Sequence, residues 1–217
     1  NFFLGVGMSF THQYRFAAAE SVEKNKIPKA ISIILLGGIV SAFMGPGIAN
    51  YAKDIVGEHL YVGSYLALGI LTIIPTIFFL FYKNTSKIES KIKYSGRSRL
   101  ELISQPRFLQ ALVASAFGYA IMTFLMTATP LSMHVMEKMS LSKTGLVIQF
   151  HVVAMFLPSL VTGYLIKKFG HSNIMYAGVF LYSITIAASF FDQTFFNYMF
   201  ALIFLGLGWN FLFISGT

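Results

Sequence analysis

Ionisable side chains lie inside apolar sequence at two places in this chain. Arg15 sits in the run Thr11-His12-Gln13-Tyr14-Arg15-Phe16, and His151 falls near the middle of the charge-free stretch 144–166. An ionisable group at the centre of a bilayer costs about 2.5–3.5 kcal/mol on insertion scales, so each needs a physical reason. At helical spacing His12 and Arg15 stand i, i+3 and share a face, with Glu20 following at the end of the segment. Such a cluster could bind an anionic group, or couple to protons through His12. Alternatively Arg15 lies within two turns of the cytoplasm and snorkels there, pairing with Glu20 or Glu23. His151 could relay protons with Glu20 and His12, or simply bond a neighbouring helix. His59, His134 and His171 lie at segment ends and need no special role.

Polar and small residues mark further positions. Ser115, Tyr119, Thr123 and Thr127 recur every four residues, so they form one stripe that should face protein or water rather than acyl chains. Trp209 and Asn210, after Gly206 and Gly208, offer an indole and an amide that could grip an aromatic or polar solute, or pack. Gly37, Ser41, Gly45 and Ala49 recur every four residues and would let another helix approach closely. Pro46 removes a backbone donor and favours a kink there. Catalytic chemistry has no footing: the sequence holds no Walker loop, no paired intramembrane carboxylate and no HExxH motif, and the charge-free spans supply no Asp. Zero cysteines exclude a disulfide frame and a thiolate metal site. Neither enzyme, metal site nor cofactor is expected.

The elements that carry these residues are expected to be membrane helices. Hydrophobic residues make up 56% of the 217 and charged residues 11%, under half of the quarter usual in soluble domains; mean hydropathy is +0.69. Windows without Lys, Arg, Asp or Glu run 30–52, 59–82, 108–136, 144–166, 169–191 and 193–217. Each exceeds the ~20 residues that cross a bilayer core. Residues 1–19 make a seventh. Twelve cations (Lys24, Lys26, Lys29, Lys83, Lys87, Lys91, Lys93, Arg97, Arg99, Arg107, Lys167, Lys168) fall on one side and three (Lys53, Lys138, Lys143) on the other. That asymmetry places the first set in the cytoplasm. The +8 net charge is thus a topology signal, and no nucleic-acid partner is implied. The chain begins at Asn1 and stops at Thr217, both within apolar sequence, and is expected to be a fragment lacking flanking helices. Three spans (1–82) precede a basic cytoplasmic loop (83–107), and four (108–217) follow it: an all-α integral membrane protein of about seven helices in two groups.

Several features together resemble the major facilitator superfamily of secondary transporters. The basic loop matches that family's linker between two six-helix halves. Gly163-Tyr164-Leu165-Ile166-Lys167-Lys168-Phe169-Gly170 is similar to its G-x-x-x-D-R-x-G loop motif, with Gly163, Lys168 and Gly170 in register and Lys167 in place of the acid. Gly45-Pro46 resembles the Gly-Pro motif of the family's helix five, with Ser41 where a glycine is usual. On that register the chain is a partial bundle covering helices four to ten of twelve. The resemblance implies that helices four, seven and ten line a central cavity, which are the segments bearing His12 and Arg15, the Ser115–Thr127 stripe, and Trp209 with Asn210. It also puts Pro46 and His151 near the seam between halves.

The expected function is a secondary transporter in a bacterial cytoplasmic membrane. It would move a small organic solute by alternating access, with protons as the expected coupling ion and import or export left open. A drug or metabolite efflux antiporter of the same family, and a seven-helix receptor, are the alternatives.

Overall fold

The computed structural model describes residues 7, 10, 11, 13–23, 26–57, 59–81 and 98–216, and among them every regular element is helical. In chain order these are α1 (Tyr14–Glu20), α2 (Ile27–Ala52), α3 (Val62–Leu80), α4 (Arg99–Ile103), α5 (Pro106–Leu131), continued by a π-helical turn (Ser132–Met136), α6 (Leu141–Phe156), α7 (Ser159–Phe169), α8 (His171–Ala188) and α9 (Phe195–Gly216). His12 and loop residues 82–97 lie outside the described residues.

Three described helices are long and apolar enough to cross a membrane, at 29–52, 106–136 and 195–216. The α6–α7 pair passes the same test jointly, bent by 41° at its break, and α3 is a shorter apolar helix. The uncharged window 144–166 thus holds a broken helix, because Pro158 has no N–H for the Ala154 carbonyl one turn back. Large apolar side chains including Phe78, Leu80, Phe117, Phe124, Phe180 and Phe200 are exposed, far beyond what a water-facing surface carries.

The chain falls into two compact units, one drawn from 1–31 and 40–89, the other from 32–39 and 90–217. In the first, α2 and α3 join through the Ser64 hydroxyl, which donates to the Ala49 carbonyl at 2.7 Å. The face of α2 bearing Gly37, Ser41 and Gly45 is exposed, and a Cβ on Gly37 or Gly45 would meet nothing within 4 Å. Close approach on this helix occurs one residue on: a Cβ at Gly38, in the stretch grouped with the second unit, would fall 2.5 Å from the Phe156 ring. Pro46 lies inside α2, which continues to Ala52.

The second unit is organised around α9. Its glycines set how near the neighbouring helices come. A Cβ on Gly206 would lie 2.6 Å from the His151 carbonyl of α6, and one on Gly208 would lie 2.5 Å from the Tyr182 ring of α8. Opposite, a Cβ on Gly178 would lie 2.9 Å from the Gly208 carbonyl. Overpacked cores lose about 1–3 kcal/mol. Gly208→Val is therefore expected to lower the melting temperature of the purified full-length protein by several degrees.

Candidate functional site

The packing of α5, α6 and α9 brings four aromatic rings together. Trp209 of α9 is 2% exposed. It stacks on Phe213 one turn later, with ring centroids 4.6 Å apart and planes 14° from parallel. Phe156, the last residue of α6, meets the indole edge-on at 6.0 Å and 77°, and Tyr119 of α5 lies 6.4 Å from both Trp209 and Phe213. The indole Nε1 is buried with no hydrogen-bond partner. A buried indole usually finds an acceptor, so this N–H is an unassigned donor inside the aromatic cluster, among the described residues.

Asn210, adjacent in sequence, points elsewhere. It is fully buried, and its amide Nδ2 donates to the Met155 carbonyl (2.7 Å) and to Ser159 Oγ (2.6 Å). Its Oδ1 accepts from Thr162 Oγ1 at 2.6 Å. Both donors and one acceptor site are thus committed to the α6–α7 break. Successive helical residues project about 100° apart, which is why this neighbouring pair serves two different surroundings.

His151 of α6 is also fully buried. Its Nδ1 lies 2.7 Å from the Leu202 carbonyl. A carbonyl can only accept, so Nδ1 carries the hydrogen. Nε2 is buried without a partner. The ring is held by one nitrogen, and the other has no partner among the described residues.

A profile of the Major Facilitator Superfamily matches residues 1–217, the whole chain. The chain belongs to that superfamily. It is 38% identical over 217 residues to the riboflavin transporter RfnT of Brucella anthropi, an alignment covering 98% of this chain and 54% of the relative. Two Bacillus subtilis proteins, the uncharacterised MFS-type transporters YddS and YdeG, are 29% and 28% identical over 98% of this chain and 52% and 53% of their own lengths. The chain spans about half the length of the curated relatives it matches. No solved structure matches it. The relatives are transporters, not enzymes, and the seven-helix receptor alternative gives way to the transporter reading.

In this superfamily chain, the sequence-named residues are distributed as follows. Tyr119 and Trp209 come together, with Phe156 and Phe213, which the sequence reading did not name. Ser115 Oγ is buried with no partner, whereas Thr123 and Thr127 are exposed and Thr127 Oγ1 bonds the Thr123 carbonyl at 2.9 Å. Each four-residue step overshoots a full helical turn by about 40°, so the stripe winds from the core to the surface. In the first unit Arg15 is half-buried, its guanidinium 4.7 Å from the Phe16 ring centroid, and Glu20 is exposed. Gly163 and Lys168 are exposed, and Lys168 Nζ lies 5.2 Å from the Phe169 ring centroid. Gly170, at φ 84°, ends α7 and opens α8, a backbone conformation that suits glycine.

Proposed function

We propose that the complete protein moves a flat, heteroaromatic solute, with riboflavin as the first candidate, across a bacterial cytoplasmic membrane. The observation that carries this reading is the Trp209 indole: stacked on Phe213, flanked by Tyr119 and Phe156, its N–H unassigned. A tricyclic flavin ring presents π faces for such a wall and carbonyl oxygens for the N–H. The similarity to a riboflavin transporter supports the same solute class.

Transport proceeds by alternating access, two helix groups rocking about a midplane site across about seven lipid-embedded spans in this part of the chain. Domain boundaries follow the sequence: a first group to residue 82, a basic cytoplasmic linker over 83–107, and a second group from 108. Arg15, with His12, lines the path from the first group. Tyr119, Trp209 and, on the outer course of α5, Thr123 and Thr127 line it from the second. Asn210 shapes the second group without touching solute. Gly37, Ser41, Gly45 and Pro46 form a sliding face, and Gly163, Lys168 and Gly170 set the cytoplasmic turn.

Coupling is to protons, which carry about 2.3 kcal/mol per charge per 100 mV. His151 accepts the proton on Nε2, and Glu20 and His12 are exchange points on the first group. Uptake of labelled riboflavin into proteoliposomes containing the full-length protein tests the solute, and an imposed pH gradient tests the coupling. His151→Gln keeps an N–H for the Leu202 carbonyl but has no site for a proton. It is expected to lose gradient-driven accumulation while retaining riboflavin counterflow. Accumulation undiminished in that variant would remove His151 from the coupling path. Riboflavin uptake no faster than in protein-free vesicles would sink the solute assignment.

A further inference from the structure

A polar cavity lies in the α5–α9 unit, at the end that carries Lys167 and Lys168. Its volume is about 450 Å³, within the range of small-molecule sites. Arg107 and Gln110 from the first turns of α5, His171, Ser172 and Asn173 from the first turn of α8, and Ser215 from the last turn of α9 supply its polar wall. Among the described residues no carboxylate lines it.

The chemistry of this wall is that of an anion receptor. α8 is 18 residues long, and no side chain caps its start, where Gly170 stands. The first N–H groups of a helix have no partner within it and sit at the positive end of its dipole. Arg107 makes no ion pair among the described residues. Ser215 also lines this cavity and is 5% exposed; its Oγ is itself buried and has no hydrogen-bond partner among the described residues. His171 Nδ1 ties α8 to the Ser215 carbonyl at 3.1 Å, and Ser172 Oγ donates to Gln110 Oε1 at 3.2 Å, so the three helix ends are already linked.

We propose that this cavity binds a phosphate group at the cytoplasmic face. Arginine pairs with phosphate oxygens through two parallel N–H bonds. Donors arrive from the starts of α5 and α8, with no carboxylate among the described lining residues, and they can engage more oxygens than the two of a carboxylate. A phosphate group, with three or four oxygens, matches the array. Free phosphate or phosphomonoester and the phosphate of a lipid headgroup share this chemistry. The site is separate from the Trp209 cluster, so its test stands apart from the riboflavin assignment.

The test uses the full-length protein in nanodiscs of phosphatidylcholine alone or with added phosphatidylglycerol. Inorganic phosphate is titrated against chloride at matched ionic strength, following the melting temperature. Saturable stabilisation by phosphate in phosphatidylcholine discs assigns a free-phosphate site. Stabilisation by phosphatidylglycerol, with no response to phosphate, assigns a lipid headgroup. In either case Arg107→Gln is expected to weaken the effect about tenfold, and Arg107→Lys, which keeps the cytoplasmic charge, to weaken it less. Equal melting temperatures of the ligand-free variants and wild type exclude misfolding as the cause. A response to neither ligand, as when another part of the full-length chain fills the cavity, overturns the proposal. So does an equal response in wild type and Arg107→Gln.

Discussion

Replacing Trp209 by phenylalanine is expected to leave the melting temperature of the full-length transporter unchanged or raised while increasing its KM for riboflavin about tenfold or more. The two effects have opposite signs because the indole carries two separable properties. Its ring fills space beside Phe213, Phe156 and Tyr119, and phenylalanine largely keeps that packing. Its Nε1–H is buried and unpartnered, a state that costs about 1–3 kcal/mol. Removing the N–H relieves that cost in the empty protein and deletes the hydrogen bond offered to solute. A residue that only packs would lose stability on truncation and leave KM alone.

Trp209→Ala separates the two properties from the other side. Truncating a buried Trp leaves a cavity worth about 3–5 kcal/mol. Lower melting temperature and loss of uptake are therefore expected together. Uptake kinetics paired with thermal melts in detergent distinguish the variants. If Trp209→Phe transports riboflavin with wild-type KM, the indole N–H has no part in binding and the solute site must be sought elsewhere.

How far the sequence could be read follows from what a linear pattern encodes. Helicity and apolar character were legible because lipid-length windows without charge repeat along the chain, and membership of the superfamily was legible in the linker and the Gly163–Gly170 turn. Side-chain partners were less so. Trp209 and Asn210 look like one polar pair, yet adjacent helical positions diverge by about 100°, sending one to the aromatic cluster and the other to the α6–α7 break. The stripe from Ser115 to Thr127 loses its common face to the same helical drift. Phe156 and Phe213 stayed invisible among 23 phenylalanines, a background that gives no single ring contrast. The 144–166 window hid the break at Pro158, because counting charges ignores which backbone carbonyls lack a donor. Gly38 rather than Gly37 makes the near approach on α2, a one-residue difference that periodicity cannot resolve where four-residue repeats of small residues overlap.

Asn210→Leu is expected to destabilise the full-length protein by about 3–5 kcal/mol, taking its interhelical hydrogen bonds at about 0.6 kcal/mol each together with about 1–3 kcal/mol for a stranded carbonyl. The partners are not equally affected. Thr162 Oγ1 also lies 2.8 Å from the Pro158 carbonyl and can fall back on it. Met155 has no such substitute: its carbonyl, facing α9 at the 41° bend, would be left in a dry interior, and Ser159 Oγ would lose its donor. Thr162→Val should therefore cost much less than Asn210→Leu, and the double variant should resemble Asn210→Leu alone. Asn210→Asp keeps the shape but exchanges an NH₂ with two donors for an oxygen. It is expected to be at least as damaging, which a volume-filling role would not produce. Uptake should fall with the melting temperature in both Asn210 variants, because Phe156 of the aromatic cluster ends the helix that this clamp holds. Thermal melts of the four variants in one detergent decide the matter: if leucine at 210 melts with wild type, the broken helix is held by packing, and the amide is free for another task.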